Sequence, residues 1–351
     1  MYFGAPMPEP LDELAFQRKV AAAARARFAL DERRPADALA ELLGVSRAVA
    51  YKRLASQTFF SARELALLQE HLDVVVSPWA EDERPLLAFR VPARLGKRRY
   101  HAATYLQALA AEREALRAVS RPGRAPVFEI VSSDLPVFYY LSEPELAAFR
   151  IYAFGVDAAS ASHPPFRLAE FRRDNRALLR EAADYAGEFF AVAATEIWSR
   201  TPIDNFLRLL THLVELGLVV EQADALAVLR ALRRMLDRLQ RVLEAGRRDS
   251  GADFGAFCNE THYTSSVILV RHHAGGALYL TFDNPNFIIS QQDAAVAFFR
   301  EYFRHLQAVS DPIGRIGQRS AQRFVSQMRD RVERTGQRIR HLYASRALDL
   351  D

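Results

Sequence analysis

The side chains whose types could perform chemistry are concentrated in one stretch of the C-terminal half. That stretch holds Cys258, the single cysteine of the chain, together with Glu260, His262, His272 and His273. Glu260 and His262 are two residues apart, so on a β-strand both would point to the same side, where they could bind a metal ion. The chain contains no HExxH and no CxxC string, and a histidine near a strand is more often a structural residue. We therefore predict no metal site.

Nucleophilic and nucleotide chemistry also lack a sequence motif. A catalytic cysteine needs a neighbouring base and a lowered pKa, and the sequence shows neither for Cys258. We predict that Cys258 is a small buried residue. The sequence contains no GxGxxG, no P-loop and no GxSxG string. We expect no catalytic residue, no cofactor and no enzymatic activity.

Basic and aromatic residues form a second group, in the string ALAELLGVSRAVAYKRLASQTFFSARELALLQEHLDV. Two helices that cross closely need a small residue in the first helix, a glycine in the turn and apolar residues on both inner faces. Ala40, Gly44 and Val45 supply these at the required spacing. Ser46 can cap a second helix that runs to Leu54. The string therefore predicts two short helices joined by a tight turn.

The second helix should present Arg47, Tyr51 and Lys52 outward, because Ala50 and Leu54 are needed inside. An arginine early in such a helix can donate two parallel hydrogen bonds to O6 and N7 of a guanine, whereas a lysine further along more often meets a phosphate. We predict that the residues contacting DNA are Ser46, Arg47, Tyr51, Lys52 and Arg53. Arg53 follows Lys52 next to the inward-facing Leu54, so its stem could pack inward with its charge directed to the DNA backbone.

Basic residues are distributed unevenly along the chain, although the formal net charge is only +4. Residues 84–124 carry ten Lys and Arg against two Glu, and residues 315–346 carry nine Arg against one Asp and one Glu. Such blocks suit contact with phosphates, but each could equally be a solvated helix face. Residues 1–77 hold ten basic and ten acidic residues, so this region alone has no excess of positive charge.

The elements that must position these residues divide the chain in two. Four short helices are predicted in the first 72 residues, the last opened by a capping box formed by Ser61 and Glu64. The C-terminal part is predicted to be mostly helical, with three helices in 168–246, a strand in VFEIV and short β-rich runs over 254–290 around a Gly275-Gly276 turn.

The predicted fold class is mainly α, and α+β overall: an N-terminal domain of four to five helices and a larger, mostly helical domain with a small antiparallel sheet. We expect the N-terminal domain over residues 1–78, a linker over 79–98 and the second domain over 99–345. One cysteine, no apolar run long enough to span a bilayer and no signal peptide at the N-terminus predict a cytoplasmic protein without membrane contact.

The segment 11–77 resembles the lambda repressor and Cro-like (XRE) helix-turn-helix family. Within that family, the string GVSRAVAYKR resembles the pattern G-V-S-x-x-x-A-Y-x-R of a branch of long bacterial regulators. A Ser-x-x-Glu-Leu helix follows in that branch, as Ser61, Glu64 and Leu65 do here. The strings SSDLPVFYYLSEPELAAFRIYAFG, TEIWSRTPIDNFL and CNETHYTSSVILV are similar to the C-terminal domain of that branch, for which the resemblance implies no chemistry.

The resemblance implies a sequence-specific, double-stranded-DNA-binding transcriptional regulator. A homodimer is expected, because one short helix supplies too few base contacts for specificity. A small-molecule or protein effector would act through the C-terminal domain. The alternative is an effector or defence-type protein whose C-terminal domain acts on nucleic acid or on a partner, and a third is an interaction scaffold. Convergent polar groups in a C-terminal cleft would favour the effector. An apolar pocket or a large symmetric apolar interface would favour the regulator.

Overall fold

A computed structural model describes residues 12–30, 34–72, 89, 102–120, 125–156, 164–260, 266–273, 275–283, 286–314 and 318–348. Most of these residues are helical, and the strands among them form one mixed sheet. The predicted class, mainly α with a sheet in the C-terminal part, is confirmed at this level. The predicted linker lies outside the described residues except for Phe89, as does most of the basic block 84–124.

The N-terminal helices begin and end close to the residues predicted from their capping signals. Pro35 occupies the first turn of its helix, where a missing backbone N–H costs nothing, and Gly44 ends that helix. Ser61 and Glu64 form the predicted capping box, in which each side chain bonds the other residue's backbone N–H. The four helices are α1 (Glu13–Leu30), α2 (Pro35–Leu43), α3 (Arg47–Leu54) and α4 (Ala62–Leu72).

Eleven buried apolar side chains from these four helices and the loop before α4 form one core. Ala24, Leu39, Ala50 and Leu68 at its centre are fully shielded from solvent. Small residues at two of these positions allow the helix backbones to approach closely. Helices α2, α3 and α4 have 9, 8 and 11 residues and are too short to be stable alone in water, so packing on the shared core stabilises them.

Helices also make up most of the C-terminal part. The 168–246 region contains four helices and a strand, rather than the three helices predicted. The helices are α5 (Ala102–Val119), α6 (Val137–Leu141), α7 (Pro144–Gly155), α8 (Leu168–Asp174), α9 (Arg176–Phe190), α10 (Asp204–Glu215), α11 (Gln222–Ala245), α12 (Asp293–Ala308) and α13 (Gln318–Leu348).

The sheet is mixed, so the prediction of a small antiparallel sheet is wrong. The seven described strands are β1 (Val127–Ser132), β2 (Ala193–Trp198), β3 (Phe254–Cys258), β4 (Val267–His272), β5 (Gly275–Asp283), β6 (Asn286–Ser290) and β7 (Asp311–Ile313). They are ordered β6-β5-β4-β1-β2-β3-β7. Strands β1, β2 and β3 are parallel, while β4 and β7 run antiparallel to β1 and β3.

The parallel centre follows from the helices between its strands. Parallel neighbours need a crossover connection, and α6 to α9 provide it between β1 and β2, as α10 and α11 do between β2 and β3. The prediction missed β2 because its alanine-rich start, AAT, continues the helical pattern of the preceding residues. The predicted β-rich run was correct for β3, β4 and β5, and Gly275, with φ 130°, is the first residue of β5.

Both faces of the parallel centre are covered. Phe128 and Ile130 on β1 and Trp198 on β2 point into the main core, against helices α6, α7, α9, α10, α11 and α13. Val131 and Ile197, which alternate with them, pack on the opposite face in a smaller cluster with Phe303 and Leu306 of α12. Alternating contact with two layers is what a buried parallel sheet requires.

The chain divides into two compact units. One contains the four N-terminal helices together with Ala274–Ala277 and Ser290–Phe298, and the other contains the rest of the C-terminal part. Among the described helices, none combines the length and apolar character needed to cross a membrane.

Candidate functional site

The turn between α2 and α3 has the backbone geometry that its sequence predicts. Gly44 adopts the left-handed conformation with φ 65° and ψ 33°, which costs a glycine little. The Val45 N–H donates to the carbonyl of Ala40 at 3.0 Å, so the chain reverses direction directly after α2. Ser46 caps α3, its Oγ accepting from the backbone N–H of Val49 at 3.4 Å.

The inner side of α3 is apolar, as predicted. Ala50 and Leu54 are buried in the N-terminal core, and Val45 packs against it while half-buried. This packing fixes the rotation of α3 about its axis. Arg47, Tyr51 and Lys52 therefore lie on the exposed side.

The exposed side of α3 carries a solvent-exposed aromatic ring and an arginine that forms an ion pair. Tyr51 is 62% exposed, which is unusual for so large an apolar side chain. The Arg47 guanidinium forms an ion pair with Asp37 of α2, with Nε 3.0 Å from Oδ1, and both side chains are largely exposed. Such an exposed pair is worth at most about 1 kcal/mol, so Arg47 can leave it for a stronger partner.

Unlike the other residues predicted to contact DNA, Arg53 is partly buried. Its Nε lies 3.1 Å from Oε2 of Glu64, and only 20% and 11% of the two side chains are exposed. Glu64 also accepts the Ser61 N–H of the capping box. The Arg53 guanidinium thus joins the end of α3 to the start of α4, which indicates a positioning role.

Two polar residues of α1 that the sequence prediction missed hold the C-terminal end of α3. Gln17, only 2% exposed, donates through Nε2 to the carbonyls of Arg53 and Thr58 at 3.1 Å, and its Oε1 accepts the Phe60 N–H at 3.0 Å. Arg25 donates to the carbonyl of Leu54 at 2.5 Å. The only signal for Gln17 is that it is a polar residue in α1 with the apolar neighbours Leu14, Val20 and Ala21 one turn away.

A polar cleft of about 1070 Å³ lies in the C-terminal unit, at the carboxyl ends of β1 and β2. The loop after β1 contributes Ser133 and Asp134, and the loop after β2 contributes Ser199 and Thr201. Ser199 holds the two loops together, because its Oγ donates to the Ser133 carbonyl at 2.6 Å. The rest of the wall comes from α10 and α13, whose lining residues include Asp204, Asn205, Arg208, Arg331, Arg334 and Arg338.

Most charges in this cleft are already paired. Arg331 forms an ion pair with Asp204, and Arg338 forms one with Glu215 at 2.7 Å. Asp134 accepts from Asn205 Nδ2 at 2.7 and 2.9 Å. Burial raises the pKa of the Asp134 carboxyl above its ordinary value, while the Asn205 hydrogen bond and nearby arginines lower it only in part.

The sequence prediction missed this cleft, because its residues come from three separate stretches that meet only when β1 pairs with β2 and α13 packs against α10. The motif-level signals were the two turns SSDLP and SRTPID, each following a strand. Side chains after neighbouring parallel strands meet at one edge of the sheet. That inference needs β2, a strand that was not predicted from the sequence.

Among the residues considered for metal or nucleophilic chemistry, those that the structure describes do not form a metal-binding cluster. Glu260 is ion-paired with Arg200, and His262 lies outside the described residues. Burial raises the pKa of the Cys258 thiol, which keeps it protonated at neutral pH. Over the described ranges, no group of three or more His, Cys, Asp or Glu side chains is placed to hold a metal ion.

Comparison of the chain with protein-family models, with curated proteins and with solved structures gave no significant match.

Proposed function

We propose that this protein is a cytoplasmic, sequence-specific regulator of transcription that binds double-stranded DNA through α3. The observation that carries the proposal is the α2–turn–α3 geometry: a left-handed glycine, a serine cap, a buried inner face and an exposed basic and aromatic face. A helix of this kind fits the major groove of B-DNA. The resemblance to the XRE helix-turn-helix family belongs to this proposal and agrees with it.

The roles of the α3 residues follow from their positions along the helix. Ser46 and the free backbone N–H groups of the first turn face a phosphate, which the helix dipole favours. Arg47, the first helical residue, reaches the edge of a guanine. Tyr51 and Lys52, one turn later, contact the DNA backbone or a thymine methyl group. Arg53 supports these contacts by fixing the end of α3 against Glu64.

Electrostatic attraction to DNA must come from the arrangement of charge, since the N-terminal region is neutral overall. On α3 the cations Arg47 and Lys52 are both exposed, and the helix itself carries no acidic residue. Two such helices in a homodimer would double the number of phosphate contacts and read two half-sites about one helical turn apart.

The experiment is to select a binding site from random duplexes and to titrate wild type, Arg47→Ala, Lys52→Ala and Arg63→Ala at one salt concentration. Arg63, an exposed arginine of α4, is the matched control for loss of charge. We expect Arg47→Ala to lose about 1–3 kcal/mol on the selected site and little on random DNA. Lys52→Ala should weaken both alike, and Arg63→Ala should change neither much.

Two outcomes would contradict the proposal. If Arg47→Ala keeps the preference for the selected site, α3 does not read the sequence. If the selection enriches no site at all, DNA binding itself is wrong and an interaction scaffold becomes the better explanation. Thermal melting of each variant separates lost contacts from lost folding.

The cleft favours a second candidate function. Convergent polar groups such as Asp134, Asn205 and Arg208 are typical of an effector rather than of an apolar sensor pocket. In that case the N-terminal helices would only target a C-terminal unit that acts on nucleic acid or a partner. Labelled DNA and RNA incubated with wild type and Asp134→Asn test the nucleic-acid case. A time-dependent product formed only by wild type would favour the effector.

A further inference from the structure

The cleft of the C-terminal unit has the location at which α/β proteins bind ligands. Residues that follow neighbouring parallel strands, such as Asp134 after β1 and Thr201 after β2, meet there at one edge of the sheet. Open α/β sheets bind ligands outside the carboxyl ends of their strands, most often where the strand order reverses, and this cleft shares the first of these two features. Its volume of about 1070 Å³ is large enough for a small molecule.

Two arginines of the cleft have guanidinium N–H groups that do not donate to a carboxylate. Arg331 and Arg338 are neutralised by ion pairs. The Arg208 guanidinium instead donates to the amide oxygen of Asn205, and Arg334 makes a hydrogen bond of 3.4 Å to the carbonyl of Asp330. Among the described residues, neither guanidinium forms an ion pair with a carboxylate, although the charge of Arg208 lowers the pKa of Asp134. Their planar donor groups suit the oxygens of an anion, above all a phosphate.

The rest of the wall suits hydroxyl groups. Asp134 has a carboxylate with lone pairs beyond those used by Asn205, and it accepts well from alcohols. In the part of the wall that the structure describes, the Ser133 and Thr201 hydroxyls have no hydrogen-bond partner. Leu207 is the single large apolar residue and no aromatic ring is present among the described lining residues, so a nucleobase would find nothing to stack on.

We propose that this cleft binds a small phosphorylated polyol, such as a sugar phosphate. The phosphate is held by Arg208 and Arg334, and the hydroxyl groups are held by Asp134, Ser133 and Thr201. Three acidic and four basic side chains line the cleft, which leaves an excess of one positive charge for the phosphate. The inference concerns the C-terminal unit alone and holds whether or not α3 binds DNA.

Calorimetric titration of the full chain tests this with a fixed set of probes. The phosphorylated probes are glucose 6-phosphate, ribose 5-phosphate, glycerol 3-phosphate and inositol 1-phosphate. Glucose, glucuronate and inorganic phosphate are the controls for the uncharged polyol, for a carboxylate and for the anion alone. We expect at least one phosphorylated probe to bind roughly tenfold or more tightly than all three controls.

Variants assign the binding to this cleft. Arg208→Gln and Arg334→Gln should each weaken the best probe about tenfold, because each removes charge-assisted hydrogen bonds to the phosphate. Arg323→Gln, an exposed arginine of the same helix α13 that does not line the cleft, should leave the affinity unchanged. Asp134→Asn should weaken the phosphorylated polyol but not inorganic phosphate. Thermal melting confirms that each variant is folded.

Several results would overturn the proposal. Failure of all four phosphorylated probes would exclude the ligand class, and inorganic phosphate binding as tightly as the best probe would exclude a role for the hydroxyls. Tighter binding of glucuronate would assign the site to carboxylates. Unchanged affinity in Arg208→Gln and Arg334→Gln would place the ligand elsewhere. A single-stranded oligonucleotide that displaces the bound probe, and does so equally well in Arg47→Ala and Lys52→Ala, would assign the cleft to nucleic acid.

Discussion

The ion pair between Arg47 and Asp37 sets a cost on DNA binding in the proposed interface. To reach a guanine, the guanidinium must leave a carboxylate that is 3.0 Å away. Asp37 is also a negative charge close to where phosphates would lie, and it repels them. Both effects are moderate because the two side chains are exposed and screened by salt.

The first prediction concerns this acidic residue. Asp37→Asn should tighten binding to the selected site several-fold, because it releases Arg47 and removes a repulsive charge. Equilibrium titration against the selected duplex at low and moderate salt measures the change, and the gain should shrink as salt rises. Glu41→Gln, which removes an acidic charge from the exposed side of α2, is the matched control. Equal or weaker binding of Asp37→Asn would show that Arg47 does not move to DNA.

Glu196 and Arg248 form a charged pair at the centre of the C-terminal core. Both side chains are almost fully buried, with Arg248 Nη2 2.8 Å from Glu196 Oε1. Tyr139 and Trp198 also donate to Glu196, and the guanidinium lies 4.3 Å from the ring centre of Phe189. Burial raises the pKa of Glu196, and the charge of Arg248 and the hydrogen bonds lower it only in part. Arg248 is therefore the group that most strongly favours the ionised form of Glu196 against the effect of burial.

The second prediction is that Arg248→Met destabilises the protein by about 3–5 kcal/mol at neutral pH, because it leaves a buried charge without compensation. Without Arg248 the pKa of Glu196 rises further above the value of about 4.3 in the unfolded chain. The folded state then takes up a proton at a higher pH than the unfolded state does. The loss should therefore be greatest at neutral pH and decrease as pH falls through the folded pKa.

Denaturant unfolding of the variant at a series of pH values measures this loss. The double variant Glu196→Gln/Arg248→Met is the control, since it removes both charges and should recover part of the stability with a weaker dependence on pH. A loss for Arg248→Met that is the same at every pH would contradict the dependence of Glu196 on Arg248.

At the scale of elements, Gly314 is a position where backbone geometry excludes a side chain. It follows β7 with φ 118°, a region that L-residues rarely adopt, and a Cβ there would overlap the carbonyl of Leu243 at the end of α11. The close approach joins the edge of the sheet to the end of a core helix.

The third prediction is that Gly314→Ala destabilises the protein by about 2–4 kcal/mol, through strained φ and displacement of Leu243. Gly187→Ala is the matched control, because Gly187 lies on the exposed side of α9 with open space around its Cα. That substitution should instead stabilise by up to about 1 kcal/mol, the difference in helix propensity. Chemical denaturation compares the two, and similar unfolding free energies would show that the contact with Leu243 relaxes.

Elements with local signals could be predicted from the sequence, and those fixed by distant contacts could not. The capping box, Pro35, Gly44 and Ser46 mark helix ends through interactions within a few residues, and the structure has them where predicted. Strand β2 is a strand because β1 and β3 flank it, which no local pattern records. The cleft depends on that pairing, so its residues could not be grouped in advance. The ion pair of Arg53 with Glu64 likewise depends on how α4 packs.

At the scale of the molecule, the fourth prediction is a homodimer. Helix α3 has only eight residues, and so few base contacts do not give the specificity that a regulator needs. Sedimentation equilibrium of the full chain at micromolar concentration should give twice the mass of 39.6 kDa. A monomer across that range, together with tight binding of a single half-site, would contradict the dimer.

The strand order also determines when the sheet can form during synthesis. Val127 in the central strand β1 pairs with Ala193 on one side and with Arg271 on the other, so one neighbour of β1 is made long after β1 itself. Until then β1 exposes an open edge, which attracts other unpaired strands. The α2–turn–α3 contacts, in contrast, close over a few residues and carry little entropic cost. One edge of β1 thus stays unpaired until β4 is made, while the first helices can fold as they are made.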